Sequence, residues 1–184
     1  YVKSENNKFS YCLHNYKCLI RSAVHKGLDL VLEVFAKNKD LNLNIVGNIE
    51  SEKDFIKIYE YELTKLSNIK YHGYLDPNSK KFKEIIKDVF CFIAPSCSES
   101  ISTAVATCMQ IGLYPIISKD TGISLPEGCG IYLESLSIEE IKNAVWKAYK
   151  LDDSTIKNQI KNCQKYALKH FSREKFSDDM RKFI

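Results

Sequence analysis

The sequence predicts an α/β fold, a doubly wound parallel sheet with helices on both faces. Three observations point to it. Short runs rich in β-branched and aromatic residues alternate with segments whose apolar residues recur at helical spacing. One run, Val89–Ala94 (VFCFIA), is apolar throughout, as a strand buried on both faces must be. The distances between the runs suit right-handed βαβ crossovers.

Taken in order, residues 1–15 are polar and irregular and read as a linker or frayed end. The chain opens on Tyr1 and not Met, so a piece of a longer polypeptide is expected. A first strand is expected at Lys17–Ile20, and the connection Arg21–Gly27 leads into a helix over Leu28–Asn38. That helix turns Leu28, Val31, Leu32 and Phe35 inward. Leu41–Gly47 alternates and ends in glycine, a second strand. Glu52–Leu66 carries Phe55, Ile58, Tyr59, Leu63 and Leu66 on one face, as one long helix would. Ile69–His72 is a third strand. Asp76-Pro77-Asn78-Ser79 is a turn and helix start before Lys80–Lys87.

The strand Val89–Ala94 is stopped by Pro95, and Ser96, Ser98, Ser100 and Ser102 offer candidate N-caps. Ala104, Val105, Cys108, Met109 and Ile111 then mark a helix, closed by Gly112. Tyr114–Ser118 and Ile131–Leu133 are further strands, separated by the glycine-bearing loop Lys119–Gly130. Ser137 with Glu140 reads as a capping box for a helix over Ile138–Lys150. Asp153–Phe171 and Ser172–Ile184 complete the chain as helices.

Composition excludes several classes. Hydrophobic residues make up 45% and charged residues 27%, as in ordinary globular proteins, and no apolar run approaches membrane-span length. The net charge of +4 is mild, and no basic stretch is interleaved with aromatics, so no nucleic-acid partner is expected. Seven cysteines without a CxxC pair suit a reducing, cytoplasmic compartment. Cys12, His14 and Cys18 lack the spacing of a metal site, and no metal is expected.

In doubly wound sheets ligands sit beyond the carboxyl ends of the strands, which singles out Arg21–Gly27, Gly47–Lys53, Gly73–Ser79 and Pro95–Ser102. Arg21, His25 and Lys26 crowd the turn that opens a helix, where cations meet the positive end of the dipole. They are either solvated surface side chains or a phosphate clamp, with Arg21 as a fork of donors and Lys26 as a point charge. The helix after Ser102 offers unpaired N–H groups of the kind that hold phosphate. Glu99, in the turn before it, reads either as a dipole cap or as an acceptor for ligand hydroxyls. No GxGxxG or P-loop occurs.

These residues add up to a resemblance. Arg21–Phe35 (RSAVHKGLDLVLEVF) resembles the Arg-x4-Lys-Gly segment of family-four glycosyltransferases of the GT-B type. Pro95–Ile117 (PSCSESISTAVATCMQIGLYPII) resembles their Pro-Ser-x-x-Glu…Glu-Ala-Met-Ala-x-Gly segment. The resemblance runs from about Lys17 to the end of the chain. It implies the C-terminal half of a GT-B fold, a Rossmann-like donor-binding domain over residues 16–184, with residues 1–15 leading from a missing N-terminal domain. The implied activity is that of a retaining glycosyltransferase moving a sugar from a nucleoside diphosphate to a glycan, lipid or other acceptor, as in polysaccharide biosynthesis. The nucleotide sugar, UDP- or GDP-linked, is substrate, and no cofactor is implied. Its cytoplasmic setting leaves room for peripheral contact with the inner face of a membrane. By position, Arg21 and Lys26 would hold the diphosphate, and Glu99, as the catalytic residue, would meet the hydroxyls of the transferred sugar. Ser98, Ser100, Ile101 and Ser102 would border the same region with backbone donors. Gly73 and Tyr74 fall in the base-binding loop, where the tyrosine either stacks or packs.

The chain departs from the family at several positions. Thr107 stands where a second glutamate usually accepts the ribose hydroxyls, and a hydroxyl is a weaker partner. Ser100, Ile101 and Ser102 replace the glycines that usually follow the first glutamate, and Ile20 replaces the glycine before the clamp arginine. Two other readings therefore stand beside the enzyme half. One is a degenerate GT-B-like domain serving as a binding or scaffolding module, and the other is another Rossmann-like protein that uses a phosphorylated ligand differently, such as an epimerase of the same GT-B shape.

Overall fold

The computed structural model describes residues 8–12 and 23–182. Six strands form one sheet in the order β3-β2-β1-β4-β5-β6, and every pairing is parallel. They are β1 (Lys8–Cys12), β2 (Asn42–Val46), β3 (Ile69–Tyr71), β4 (Cys91–Ala94), β5 (Tyr114–Ser118) and β6 (Ile131–Leu133). This order reverses direction between β1 and β4, the switch point at which doubly wound sheets bind ligands. The fold class read from the sequence is the one observed.

The first strand is the main correction. The strand expected at Lys17–Ile20 lies outside the described residues, and the centre of the sheet is taken by Lys8–Cys12, part of the stretch read as linker. Phe9 and Tyr11 alternate there with Lys8 and Ser10, and the polar partners hid a strand that pairs on both sides, Phe9 opposite Leu43 and Cys91. The other five expected strands share this sheet.

Helices α1 (Leu28–Lys37), α2 (Lys53–Ile58), α3 (Glu60–Thr64), α4 (Lys80–Ile86), α5 (Thr103–Gln110), α6 (Ile138–Lys150), α7 (Asp153–His170) and α8 (Arg173–Arg181) complete the chain. The single long helix expected over Glu52–Leu66 is two short ones meeting at Tyr59, whose φ of −102° and ψ of 23° leave the helical region. Periodicity of apolar residues survives such a break, so the sequence did not betray it.

Two apolar layers enclose the sheet. On one face Leu28, Leu32 and Phe35 of α1 and Ile141 and Val145 of α6 pack with Leu43, Ile45, Cys91, Ile93 and Ile116. On the other, Phe82 of α4 and Ala104, Val105, Cys108 and Met109 of α5 pack with Val46, Phe92, Ala94 and Ile117. Alternate residues of β4 thus go to opposite cores, and all four are buried. α7 serves both layers, with Ile156 and Ile160 in the first and Cys163 and Ala167 in the second.

Helix ends follow the local chemistry. Ser79 accepts from Phe82 N, and Asp152 accepts from Ser154 N and Thr155 N. Past the end of α5, Gly112 has a φ of 85°, Gly112 N donates to Met109 O and Leu113 N to Cys108 O, the paired closure a left-handed glycine allows. Ser137 accepts from Glu140 N, but the Glu140 carboxylate reaches past the cap to Glu134 N and Ser135 N, three and two residues further out than a capping box would place it.

Candidate functional site

The turn before α1 and the turn after β4 meet at the switch point. Gly27 is the N-cap of α1 with a φ of 71°. A Cβ there would run into Pro95 O, so both the left-handed backbone and the close approach require glycine. Cys97 N donates to His25 O at 2.9 Å, and His25 Nε2 donates to Ser98 O at 2.6 Å. On the outer side, the buried carboxylate of Glu52 accepts from Ala23 N through both oxygens, at 3.1 and 3.2 Å. Residues 23–27 are therefore held from the β2 side and the β4 side at once.

Between these turns lies a polar cluster. Lys26 Nζ is 2.9 Å from Glu99 Oε2, and Ser96 Oγ donates to Glu99 Oε1 at 2.7 Å. The bland alternative for Glu99, capping of the next helix, does not fit this geometry. Glu99 lies outside the first turn of α5, which holds no acidic residue, and its carboxylate turns to Lys26 and Ser96. Nor do the serines cap α5. Ser102 occupies the N-cap position with its hydroxyl making no cap bond, while its own N–H donates to Thr121 O at 2.9 Å. Among the described residues no side chain caps the first turn of α5, and N–H groups open at a helix start suit an anionic ligand.

A second loop braces the first. Glu99 N donates to Asp120 O at 2.7 Å, and Ser118 Oγ, at the end of β5, donates to Ser96 O at 2.6 Å. Thr121 Oγ1 in turn donates to Ser118 O at 2.8 Å. Gly122, with a φ of 68°, lies so close that a Cβ would meet Ser100 O. Ser96, Ser118 and Thr121 are all buried. Sequence reasoning noticed Ser96 only as a possible cap and missed Ser118 and Thr121. A hydroxyl at the end of an otherwise apolar strand was the available signal.

Among the other expected site residues, Arg21 lies outside the described residues. Ser98 takes part through its carbonyl, and Ser100 and Ile101 are exposed on the rim. Thr107 lies half-buried about one turn into α5. Gly73 and Tyr74 follow β3 at the same edge of the sheet but are separated from β4 by β2 and β1. There Gly47 N donates to Gly73 O at 2.9 Å, and the Tyr74 ring is 53% exposed and hence not engaged in packing a core. Among the described residues no group of three or more histidine, cysteine or carboxylate side chains could hold a metal ion, and no helix is long and apolar enough to cross a membrane.

Residues 18–170 match the family model described as Glycosyl transferases group 1. No curated protein matches the chain. Among solved structures, the chain is similar to HepE of Anabaena in complex with UDP-glucose, with a TM-score of 0.79 at 15% identity over 97% of this chain and 48% of that one. It is also similar to a glycosyltransferase from Rickettsia africae, with a TM-score of 0.75 at 12% identity over 97% and 47% of the two chains. WaaG, a glycosyltransferase involved in lipopolysaccharide biosynthesis, gives 0.67 at 16% identity over 90% and 44%. At these identities the likeness is one of fold, and the chain spans about half the length of each of these structures.

Proposed function

The chain belongs to the glycosyl transferases group 1 family, and from that premise we propose that it is the donor-binding domain of a retaining glycosyltransferase. It would bind a nucleoside-diphosphate sugar at the β1–β4 switch point, with no metal or cofactor, for transfer to a glycan, lipid or other acceptor. The observation that carries this reading is the cluster of Lys26, Glu99 and Ser96 between the turn before α1 and the turn after β4, at the switch point of the sheet. The ammonium and the helix N–H groups suit the diphosphate. The carboxylate, fixed by Ser96, suits hydroxyls of the transferred sugar. Arg21 would add a fork of donors to the diphosphate, and the exposed ring of Tyr74, beside Gly73, would take the base. UDP and UDP-glucose, the ligands of the HepE structures, are the natural first probes.

In a two-domain enzyme of this kind the facing domain would complete the acceptor side, so this chain is expected to bind donor and not turn it over. A cytoplasmic setting, with any membrane contact peripheral, accords with this substrate. Calorimetric titration with UDP, GDP and their sugars tests the reading. Binding of a sugar nucleotide is expected, and Lys26→Ala should weaken diphosphate binding by about 1.5–3 kcal/mol, the scale of a hydrogen bond to a charged group. Absence of binding by every nucleotide would favour the non-catalytic module, for which Thr107 in place of a ribose-binding carboxylate is the supporting observation.

A further inference from the structure

We propose that the turn after β5 aims the carboxylate of Glu99, with Ser118 as a positioning residue that acts through Ser96. The inference rests on the donor-binding reading above and extends it to a loop that holds none of the expected site residues.

Three hydroxyls form a chain that ends on the carboxylate. Thr121 Oγ1 donates to Ser118 O at 2.8 Å, Ser118 Oγ to Ser96 O at 2.6 Å, and Ser96 Oγ to Glu99 Oε1 at 2.7 Å. Each hydroxyl has one proton to give, and here each is spent on the next residue inward. Ser96 and Ser118 are 1% exposed and Thr121 0%, so solvent does not stand in for a lost link.

The same turn also holds the backbone around Glu99. Glu99 N donates to Asp120 O at 2.7 Å, and Ser102 N donates to Thr121 O at 2.9 Å. These ties cross between the ends of β4 and β5, which pair directly. They differ in what they fix. The carbonyls of Asp120 and Thr121 set the path of the turn and the start of α5. The Ser118 hydroxyl sets Ser96, the residue whose own hydroxyl meets the carboxylate.

Removal of the Ser118 hydroxyl therefore leaves the backbone ties in place and loosens the aim of Glu99. Hydrogen bonds from sugar hydroxyls to a carboxylate depend on that aim. A diphosphate at the helix start does not. A serine that only secured the loop would affect both ligands alike.

The test is calorimetric titration of wild type, Ser118→Ala, Glu99→Gln and the double variant with UDP and UDP-glucose, and with GDP and GDP-mannose in parallel. Ser118→Ala should weaken the sugar nucleotide about three- to tenfold, the scale of one hydrogen bond, and change the bare diphosphate less than about twofold. Glu99→Gln should lower the same affinity ratio, and in its background Ser118→Ala should lower it no further, the non-additivity of a residue acting through Glu99. Tyr71→Phe is the control, since it removes a bracing hydroxyl on the β2–β3 side and should leave the ratio unchanged. A thermal melt checks folding. Should Ser118→Ala fail to fold, Thr121→Val removes the next hydroxyl outward and should shift the ratio the same way by a smaller factor. A ratio unchanged by the serine variant, or by Thr121→Val in its place, overturns the positioning role and leaves the donor-binding reading intact. So does a shift that persists in the Glu99→Gln background. Failure of the wild type to bind any of the four ligands overturns both.

Discussion

The connections on the two sides of the switch point are built differently. After β4 and β5 the loops are tied through side chains as well as backbone: Ser118 Oγ to Ser96 O, Glu99 N to Asp120 O, Ser102 N to Thr121 O, with Gly122 pressed on Ser100. After β2 and β3 the loops meet through Gly47 N to Gly73 O and one tyrosine, whose hydroxyl donates to Gly47 O and accepts from Ile49 N. The first pair of loops carries Glu99, the carboxylate of the half-buried ion pair, and the second presents glycine backbone and an exposed ring. Holding a carboxylate and an ammonium in a poorly hydrated cleft demands fixed geometry, because small displacements cost charge-assisted bonds. A flat ring and a carbonyl tolerate looser support.

The sharpest way to break the comparison is at Gly122. An alanine there would need a left-handed backbone at a φ of 68° and would drive its Cβ into Ser100 O. Gly122→Ala should cost about 3 kcal/mol or more in denaturant unfolding, the range of backbone strain combined with an unavoidable clash. Gly128 is the control, since its φ is 71° but a Cβ there meets nothing within 4 Å. Gly128→Ala should cost only about 1 kcal/mol, the conformational term alone. Equal losses at the two sites would show that the brace does not depend on close contact.

The parallel sheet was legible because burial on both faces leaves a continuous apolar run, as at Val89–Ala94, and because a glycine follows β2 directly. The central strand was not, since Lys8, Ser10 and Cys12 mask Phe9 and Tyr11, and only pairing on both sides declares it. Lys26 and Glu99 were legible as a cation at a helix start and an unexplained carboxylate. Their mutual contact was not, because 73 residues of chain separate them and only the crossover brings them together. The supports at Ser118 and Thr121 are ordinary residues in sequence, and their meaning lies in tertiary hydrogen bonds.

A gentler probe addresses the looser side. The Tyr71 hydroxyl bridges Gly47 O and Ile49 N at 3.0 and 3.3 Å, and burial, with Glu50 nearby, pushes its pKa up to about 12, so it remains a donor at ordinary pH. Tyr71→Phe keeps the ring and removes both bonds. The expected loss is about 0.5–1.5 kcal/mol in unfolding, with the Lys26–Glu99 side unaffected. A change in nucleotide affinity would mean that the two sides are coupled and the comparison is too simple.

The smallest effect concerns His72, the residue that follows β3 on the same side. Its Nε2 hydrogen-bonds Asn44 Oδ1 at 2.9 Å, and burial, then Lys81 and Lys70, hold its pKa below the ordinary value of 6.5. The fold therefore favours the neutral ring, and the unfolded chain binds the proton more readily. Stability follows the difference in bound protons, so it is fully present above about pH 6.5 and declines as pH falls from there towards the folded-state value. Denaturant midpoints across this window should drop for the wild type, with a shallower drop in His72→Gln, which keeps a donor for Asn44 and cannot titrate. The direction discriminates: an ion-paired histidine would gain stability as pH falls. A wild-type midpoint that rises on acidification, or a slope unchanged by His72→Gln, would show that the imidazole does not titrate against the two lysines and that its surroundings at the end of β3 are wetter than the packing around Asn44 implies.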